Sequence, residues 1–393
     1  QNSEAIVSTL DASLFKIKDA SNIVLLGLTL EVTRRDAITM EGGRNNIIAK
    51  SVIRNTGQWA VKIGSGWEHK VIGCDIYNTG EGGISLNPDP VIGNYQITLG
   101  RKELIPARHT VENNHIYRFN RFDGGYKQAV SIDGIGQVVS HNLMNDSPMQ
   151  AICFNANDHV IEFNELHDVL HTGKELGAIY VYGEPWYMMS RGTVIRGNLF
   201  HHISSNSSPN YQQQCFGLVL DAINSGIVME NNIFYRVPKS ILLPGPDNRI
   251  ENNIFADADH AIQLNNMWTL FNNAKGEPIA SRISLLAEER LKVVGYKQPP
   301  WSYRYPQMVN ILYDKTPVGW AKGITVKRNI NTAGRFMTFG GVRDNIDFEN
   351  NITLENPLFF DSENMILDIR QGSPVYGLAG FEPLPEMKQI GVY

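Results

Sequence analysis

The chain has 393 residues, 42% of them hydrophobic and 19% charged, enough apolar material for a long stacked core. A net charge of −5 argues against a nucleic-acid partner, which calls for a basic face, and no apolar run approaches the ~20 residues of a helical membrane span. Cys74, Cys153 and Cys215 are isolated, with neither disulfide nor metal-ligand spacing, so no metal or other cofactor is expected.

Gln1 leads almost directly into an apolar segment, Asn22–Leu30, with no helix before it to close an end. A solenoid needs a polar cap over its end coil. The chain is therefore expected to be the trimmed part of a longer precursor, with a secreted or periplasmic location.

Ten strand-like pentads follow: Ala37–Glu41, Ala60–Gly64, Gly83–Asn87, Ala129–Asp133, Ala151–Asn155, Ala178–Tyr182, Gly217–Asp221, Ser240–Pro244, Ala261–Asn265 and Phe336–Gly340. Where nothing interrupts them they recur every 21–23 residues. So short a period, with alternating apolar residues in each unit, predicts one coil of a β-solenoid per repeat. The expected fold is all-β, a right-handed parallel β-helix with long loops, in one domain over 1–393 that carries a partly helical insertion at 266–321.

A second column runs in parallel through Leu28, Ser51, Asp75, Asn114, Asn142, Asn164, Asn198, Asn232, Asn253, Asn329 and Asn351. Asparagine tolerates the left-handed backbone of a bend, and its amide reaches the asparagine of the next coil. These residues read as a structural ladder. His167 and His201 each follow a ladder asparagine by three residues. They could stack as a metal pair, but with no third ligand at matching spacing they read as turn residues.

Interruptions of the coil mark the functional face. The stretches from ladder residue to pentad lengthen at 114–129, 164–178 and 198–217, and further insertions follow the pentads at 88–108, 183–191 and 266–321. Loops that lengthen on both flanks of the same strands build two walls beside a floor, the shape of a polymer-binding cleft. In Ala178–Tyr182 the apolar Ile179 and Val181 face the core, so Tyr180 and Tyr182 face outward. The same alternation exposes Ser131 and Asp133, Cys153 and Asn155, Val219 and Asp221, and Gln263 and Asn265. Rings beside carboxylates and amides suit a carbohydrate polymer or oligosaccharide.

Asp221 is the leading acid, at the mouth of an otherwise apolar strand one coil above Tyr182. A second carboxylate would have to stand ~5–5.5 Å away for retention or ~6.5–9.5 Å for inversion of a glycosidic centre. Asp133, three coils off at roughly 14 Å, is too far. Glu175 on the loop entering the neighbouring coil and Glu184 on the loop leaving it both remain candidates. Trp186 follows Glu184. The insertion holds Trp301, Tyr303 and Tyr305 after an expected helix at about 278–294, whose Ile279, Ile283, Leu286 and Leu291 share a face.

The segments Asn157–Leu166, Gly177–Tyr180 and Arg191–Arg196 together resemble bacterial right-handed parallel β-helix proteins active on polysaccharides, and most of all glycoside hydrolase family 141. That resemblance runs from about Ser13 to the Gly372-Ser-Pro segment. It implies hydrolysis of glycosidic bonds by two carboxylates, one shortly before the Gly-Ala-Ile-Tyr stretch and one after the Gly-x-x-Leu strand, positions held here by Glu175 and Asp221. The family pattern has Asp at the first, so Glu175 is a departure. The expectation is a glycosidase with Asp221 as one catalytic carboxylate, Glu175 or Glu184 as its partner, and Asn155, Tyr180, Tyr182, Trp186 and Trp301 holding the sugar. Two alternatives stand beside it. One is a polysaccharide lyase drawing on Lys174, Arg191 or His171; the other is a non-catalytic, tailspike-like carbohydrate-binding solenoid.

Overall fold

The computed structural model describes residues 6–86, 99–181, 188–206, 214–221, 223–265, 288–312, 321–340, 346–378 and 380–393. Three parallel sheets of eleven strands run side by side, each strand hydrogen-bonded to the strand three places on in the chain. This is the right-handed parallel β-helix that the repeat predicts. All ten pentads fall in the first sheet, from Ile38–Glu41 to Arg335–Gly340. That sheet opens one coil earlier, on Phe15–Lys18, which the repeat misses. As the end strand it buries only Ile17, so two lysines replace the usual apolar signature.

Register makes the core a set of stacked columns. Ile38, Val61, Ile84, Val130, Ile152, Ile179, Leu218, Ile241, Ile262 and Met337 pair coil to coil along the first sheet. Like side chains therefore meet at the strand spacing of ~4.8 Å, and each fully buried aliphatic contributes roughly 1.5–3 kcal/mol. Phe200, Phe234 and Phe255 stack at 4.5 and 5.2 Å between ring centres.

The asparagine ladder sits at the corner between the second and third sheets. From Asn114 to Asn329 each ladder amide donates to the Oδ1 of the next, through Asn142, Asn164, Asn198, Asn232 and Asn253, and the last step reaches Asn351. Two details differ from the sequence reading. The member one coil before Asn114 is Cys74, whose N–H donates to Asn114 Oδ1, whereas Asp75 lies in the strand beyond. The left-handed residue is also not the ladder asparagine but the one before it, as at Asn113, His141, Phe163 and Asn231. The ladder side chains are selected for their paired amides rather than for backbone tolerance.

A second ladder, which the sequence reading missed, lines the corner between the first and second sheets. Backbone N–H groups donate to side chains one coil on: Asn46 to His69 Nδ1, His69 to His109 Nδ1, His109 to Gln137 Oε1, Gln137 to His159 Nδ1 and His159 to Thr193 Oγ1. Residue type changes at nearly every step, so no single letter repeats.

His167 and His201 are not turn residues. They belong to the third-sheet strands Glu165–His167 and Leu199–His201, in register with each other and with rings stacked at 4.5 Å. Residues 288–294 are helical, and the expected helix upstream of them lies outside the described residues. Leu291, Val294, Trp301, Tyr305 and Met308 pack with Met188, Met189 and Ile223, pinning the insertion to the corner that follows the first sheet. The C-terminal segment runs back along the third sheet, where Leu367, Val375, Phe381 and Ile390 cover the outward column Leu199, Ile233, Ile254 and Ile330. Among the described residues no helix is long and apolar enough to cross a membrane.

Candidate active site

On the outer side of the first sheet three residues that alternation was expected to expose, Cys153, Tyr180 and Val219, are buried. Cys153, Tyr180 and Val219 stand in register on adjacent coils, and alternation turns them away from the columns of the core. Asp221 directly follows the strand Cys215–Leu220, its N–H bonded to Val181 O at 3.1 Å, so its carboxylate stands where the strand leaves the sheet. The Tyr180 hydroxyl donates to Asp221 Oδ2 at 2.5 Å. Burial, then the hydrogen bond to and the charge of Asp221, raise the Tyr180 hydroxyl pKa well above the ordinary phenol value. The phenol thus stays protonated and donates to the carboxylate across the working range of pH. The ring itself is 7% exposed. Tyr180 therefore orients Asp221 more than it offers a stacking surface. Tyr126, exposed on the loop that enters the Val130–Ile132 strand, adds its own electrostatic influence on Tyr180. The sequence signal for Tyr126 was the long 114–129 stretch, but nothing in it singled out that ring.

Asp133 and Asn155 close the neighbouring coils. Arg101, itself 4% exposed, donates through Nη2 to Asp133 Oδ1 at 2.7 Å, and Asp133 Oδ1 also accepts the Gly134 N–H. Asp133 is thereby tied to the wall that carries the short helix Leu99–Lys102. Asn155 is held through its carbonyl, which takes a 2.7 Å hydrogen bond from His159 Nε2. That ring is buried, and burial pushes its pKa down to about 4.

Two expected partners are not where the sequence put them. Glu175 precedes the strand Leu176–Val181, with φ +56° and its N–H bonded to Gln214 O at 2.9 Å. Gln214 and Asp221 bracket the strand Cys215–Leu220. Glu175 and Asp221 consequently lie at opposite ends of adjacent strands, on the order of 20 Å apart along the chain direction. Exposed Glu175 cannot complete a two-carboxylate pair with Asp221. Trp301 is fully buried, its Nε1–H donating to Lys102 O at 3.0 Å, so it braces the insertion and offers no face to a sugar. Tyr182, Glu184 and Trp186 lie outside the described residues. Arg191, considered for lyase chemistry, is fully buried against Asp247 at 2.8 Å.

The entering edge of the same sheet holds a basic row that the sequence reading overlooked. Lys239, His260 and Arg335 are register partners on three successive coils. Each immediately precedes its strand's apolar core, one position before the pentads, and that offset hid the column. Lys239 Nζ lies 5.2 Å from the Phe216 ring centre, and His260 Nε2 is 3.1 Å from Thr338 Oγ1. Burial, with Arg335 and Lys239 adding to it, lowers the His260 pKa and favours the neutral imidazole.

Comparison of the sequence with protein-family models and with curated proteins finds no match. Solved structures do match. A mannuronic acid specific family 6 polysaccharide lyase from human gut microbiota is similar at TM-score 0.50 and 12% identity, covering 86% of this chain and 79% of that one. A family 6 alginate lyase in complex with a trisaccharide gives 0.49 and 14%, over 87% and 76%. A glycoside hydrolase gives 0.44 and 12%, over 57% of this chain and 38% of that one. At such identities the likeness establishes the fold, and the fold is the parallel β-helix.

Proposed function

We propose that the outer face of the first sheet is the catalytic groove of a polysaccharide-active enzyme, and that it hydrolyses glycosidic bonds with Asp221 as one of two carboxylates. The observation that carries this reading is the Tyr180–Asp221 pair: a carboxylate at the end of a first-sheet strand, held by the hydroxyl of a buried tyrosine on the adjacent coil. Asp221, oriented by that hydroxyl, is assigned the role of nucleophile or water-activating base. With Glu175 at the far end of the strand, Glu184, two residues beyond the Tyr182 of the adjoining pentad, is the favoured second acid. Tyr182, Trp186 and Asn155 are the proposed sugar contacts, on the pattern proposed from the resemblance to glycoside hydrolase family 141.

A second reading rests on the basic row. Lys239 and Arg335 flank His260 across three coils, an arrangement that would neutralise a uronate carboxylate beside a neutral imidazole base, as β-elimination from an acidic polymer requires. One experiment separates the two. Parent protein, Asp221→Asn, Glu184→Gln and Glu175→Gln are incubated with neutral and uronate polysaccharides while reducing ends and unsaturated-product absorbance are followed. The hydrolase reading expects reducing ends without absorbance, a loss of roughly 10²–10⁴-fold in Asp221→Asn and Glu184→Gln, and little change in Glu175→Gln. Full activity in Asp221→Asn would remove that residue from the chemistry. Absorbance growing with cleavage, and lost on His260→Ala, would transfer the reading to the lyase.

A further inference from the structure

Away from the groove, on the outer face of the third sheet, Glu165, His167 and His201 bring one ligand atom each to within 4.8 Å of one another. We propose that these three residues form a binding site for a zinc-class divalent cation. Sequence reading stopped at two histidines because the third donor lies not at ladder spacing but two residues before His167 on the same strand. Residues two apart on a strand share a face, so Glu165 and His167 both project outward, and the register then sets His201 directly beside His167.

The donor set and its supports fit such an ion. Two imidazoles and one carboxylate are the ligand types that a borderline cation takes in three-ligand sites, with a fourth position left to water. Each ring is oriented through its other nitrogen. His167 Nδ1 bonds Asp168 Oδ2 at 2.7 Å, leaving Nε2 for a ligand. His201 Nδ1 bonds His202 Nδ1 at 2.9 Å, leaving Nε2 toward Glu165. A carboxylate or a second ring behind a ligating histidine is what fixes tautomer and direction in metal sites. His201 Nε2 and Glu165 Oε1 are 3.1 Å apart. That is near the ~3.3 Å edge of a tetrahedron with bonds of about 2.0–2.1 Å. Binding would thus exchange the proton shared between these two atoms for the metal and release it to solvent. The donors sit in a partly covered setting: His201 is buried, and Gly391 of the C-terminal segment packs against Glu165.

The test is a titration of the EDTA-stripped, dialysed full chain with Zn²⁺ by calorimetry and with Co²⁺ by visible absorption. Expected are one equivalent bound, the visible d–d bands of four-coordinate cobalt, and proton release that varies with buffer. His167→Ala and Glu165→Gln should each weaken binding at least tenfold, and Asp168→Asn by about 10–100-fold. Glu165→Gln keeps a hydrogen-bond acceptor for His201, so it remains informative should an alanine variant fold poorly. Absence of a saturable equivalent, or unchanged binding in a folded His167→Ala or Glu165→Gln variant, would overturn the site and leave only a hydrogen-bonded histidine stack. None of these readouts depends on the groove or its activity.

Discussion

At the residue scale the buried histidines of the second ladder make stability depend on pH. His159 accepts the Gln137 N–H through Nδ1 and donates from Nε2 to Asn155 O, so the fold needs the neutral ring. Burial lowers the pKa of His159 from 6.5 to about 4 and that of His109 to about 3. Both rings take up a proton in the unfolded chain below pH ~6.5, but in the fold only near pH 3–4. Their contribution is complete above about pH 6.5 and is lost as pH falls toward those lower values, by roughly a few kcal/mol in all. Gln137 fills the same ladder role one coil away, accepting the His109 N–H. His159→Gln should therefore leave the urea midpoint at pH 7.5 nearly unchanged while flattening its decline between pH 6.5 and 4. An unaltered slope would assign that pH dependence elsewhere.

At the scale of elements, what was legible in the sequence followed periodicity. The ten pentads announced the first sheet because each places two apolar residues at alternate positions in an almost constant period. The asparagine ladder was legible because the same letter recurs. The Lys239–His260–Arg335 row and the second ladder were not, since each mixes residue types and reveals itself only through register. Glu175 was misjudged for a related reason. Its distance from the pentad is plain in the chain order, but not that the strand begins at Leu176 and runs six residues before reaching the Asp221 end. Trp301 looked like a sugar platform because an aromatic in an insertion carries no mark of burial. The C-terminal strap was also hidden, its apolar residues lying outside any repeat. Deleting residues 380–393 should uncover Leu199, Ile233 and Ile254, which Phe381 and Ile390 help to cover. Lower melting temperature and self-association in sedimentation are the expected results. A monomeric truncation with parental melting temperature would mean that the segment contributes little.

At the scale of the molecule the solenoid is nearly one-dimensional: each coil touches its neighbours, and stability is a sum of coils and interfaces. The asparagine ladder ties those interfaces together. Asn198, midway, donates from Nδ2 to Asn232 Oδ1 and to Ile161 O, and its Oδ1 receives both the N–H and the Nδ2 of Asn164. Asn198→Ala would strand several buried polar groups, each costing about 1–3 kcal/mol. Global stability should drop by at least ~2 kcal/mol, and denaturant unfolding should separate into two steps as coils on either side decouple. A single transition at the parental midpoint would show that apolar columns alone carry the cooperativity.

Tyr393 meets Asn113, a partner 280 positions earlier, through paired hydrogen bonds between its backbone and the asparagine amide. Everything between those two points has to be wound before they can join. The segment around Tyr393 thus acts as a clasp on coils far earlier in the chain, and refolding should show an early rise in sheet content followed by a slower locking of that segment.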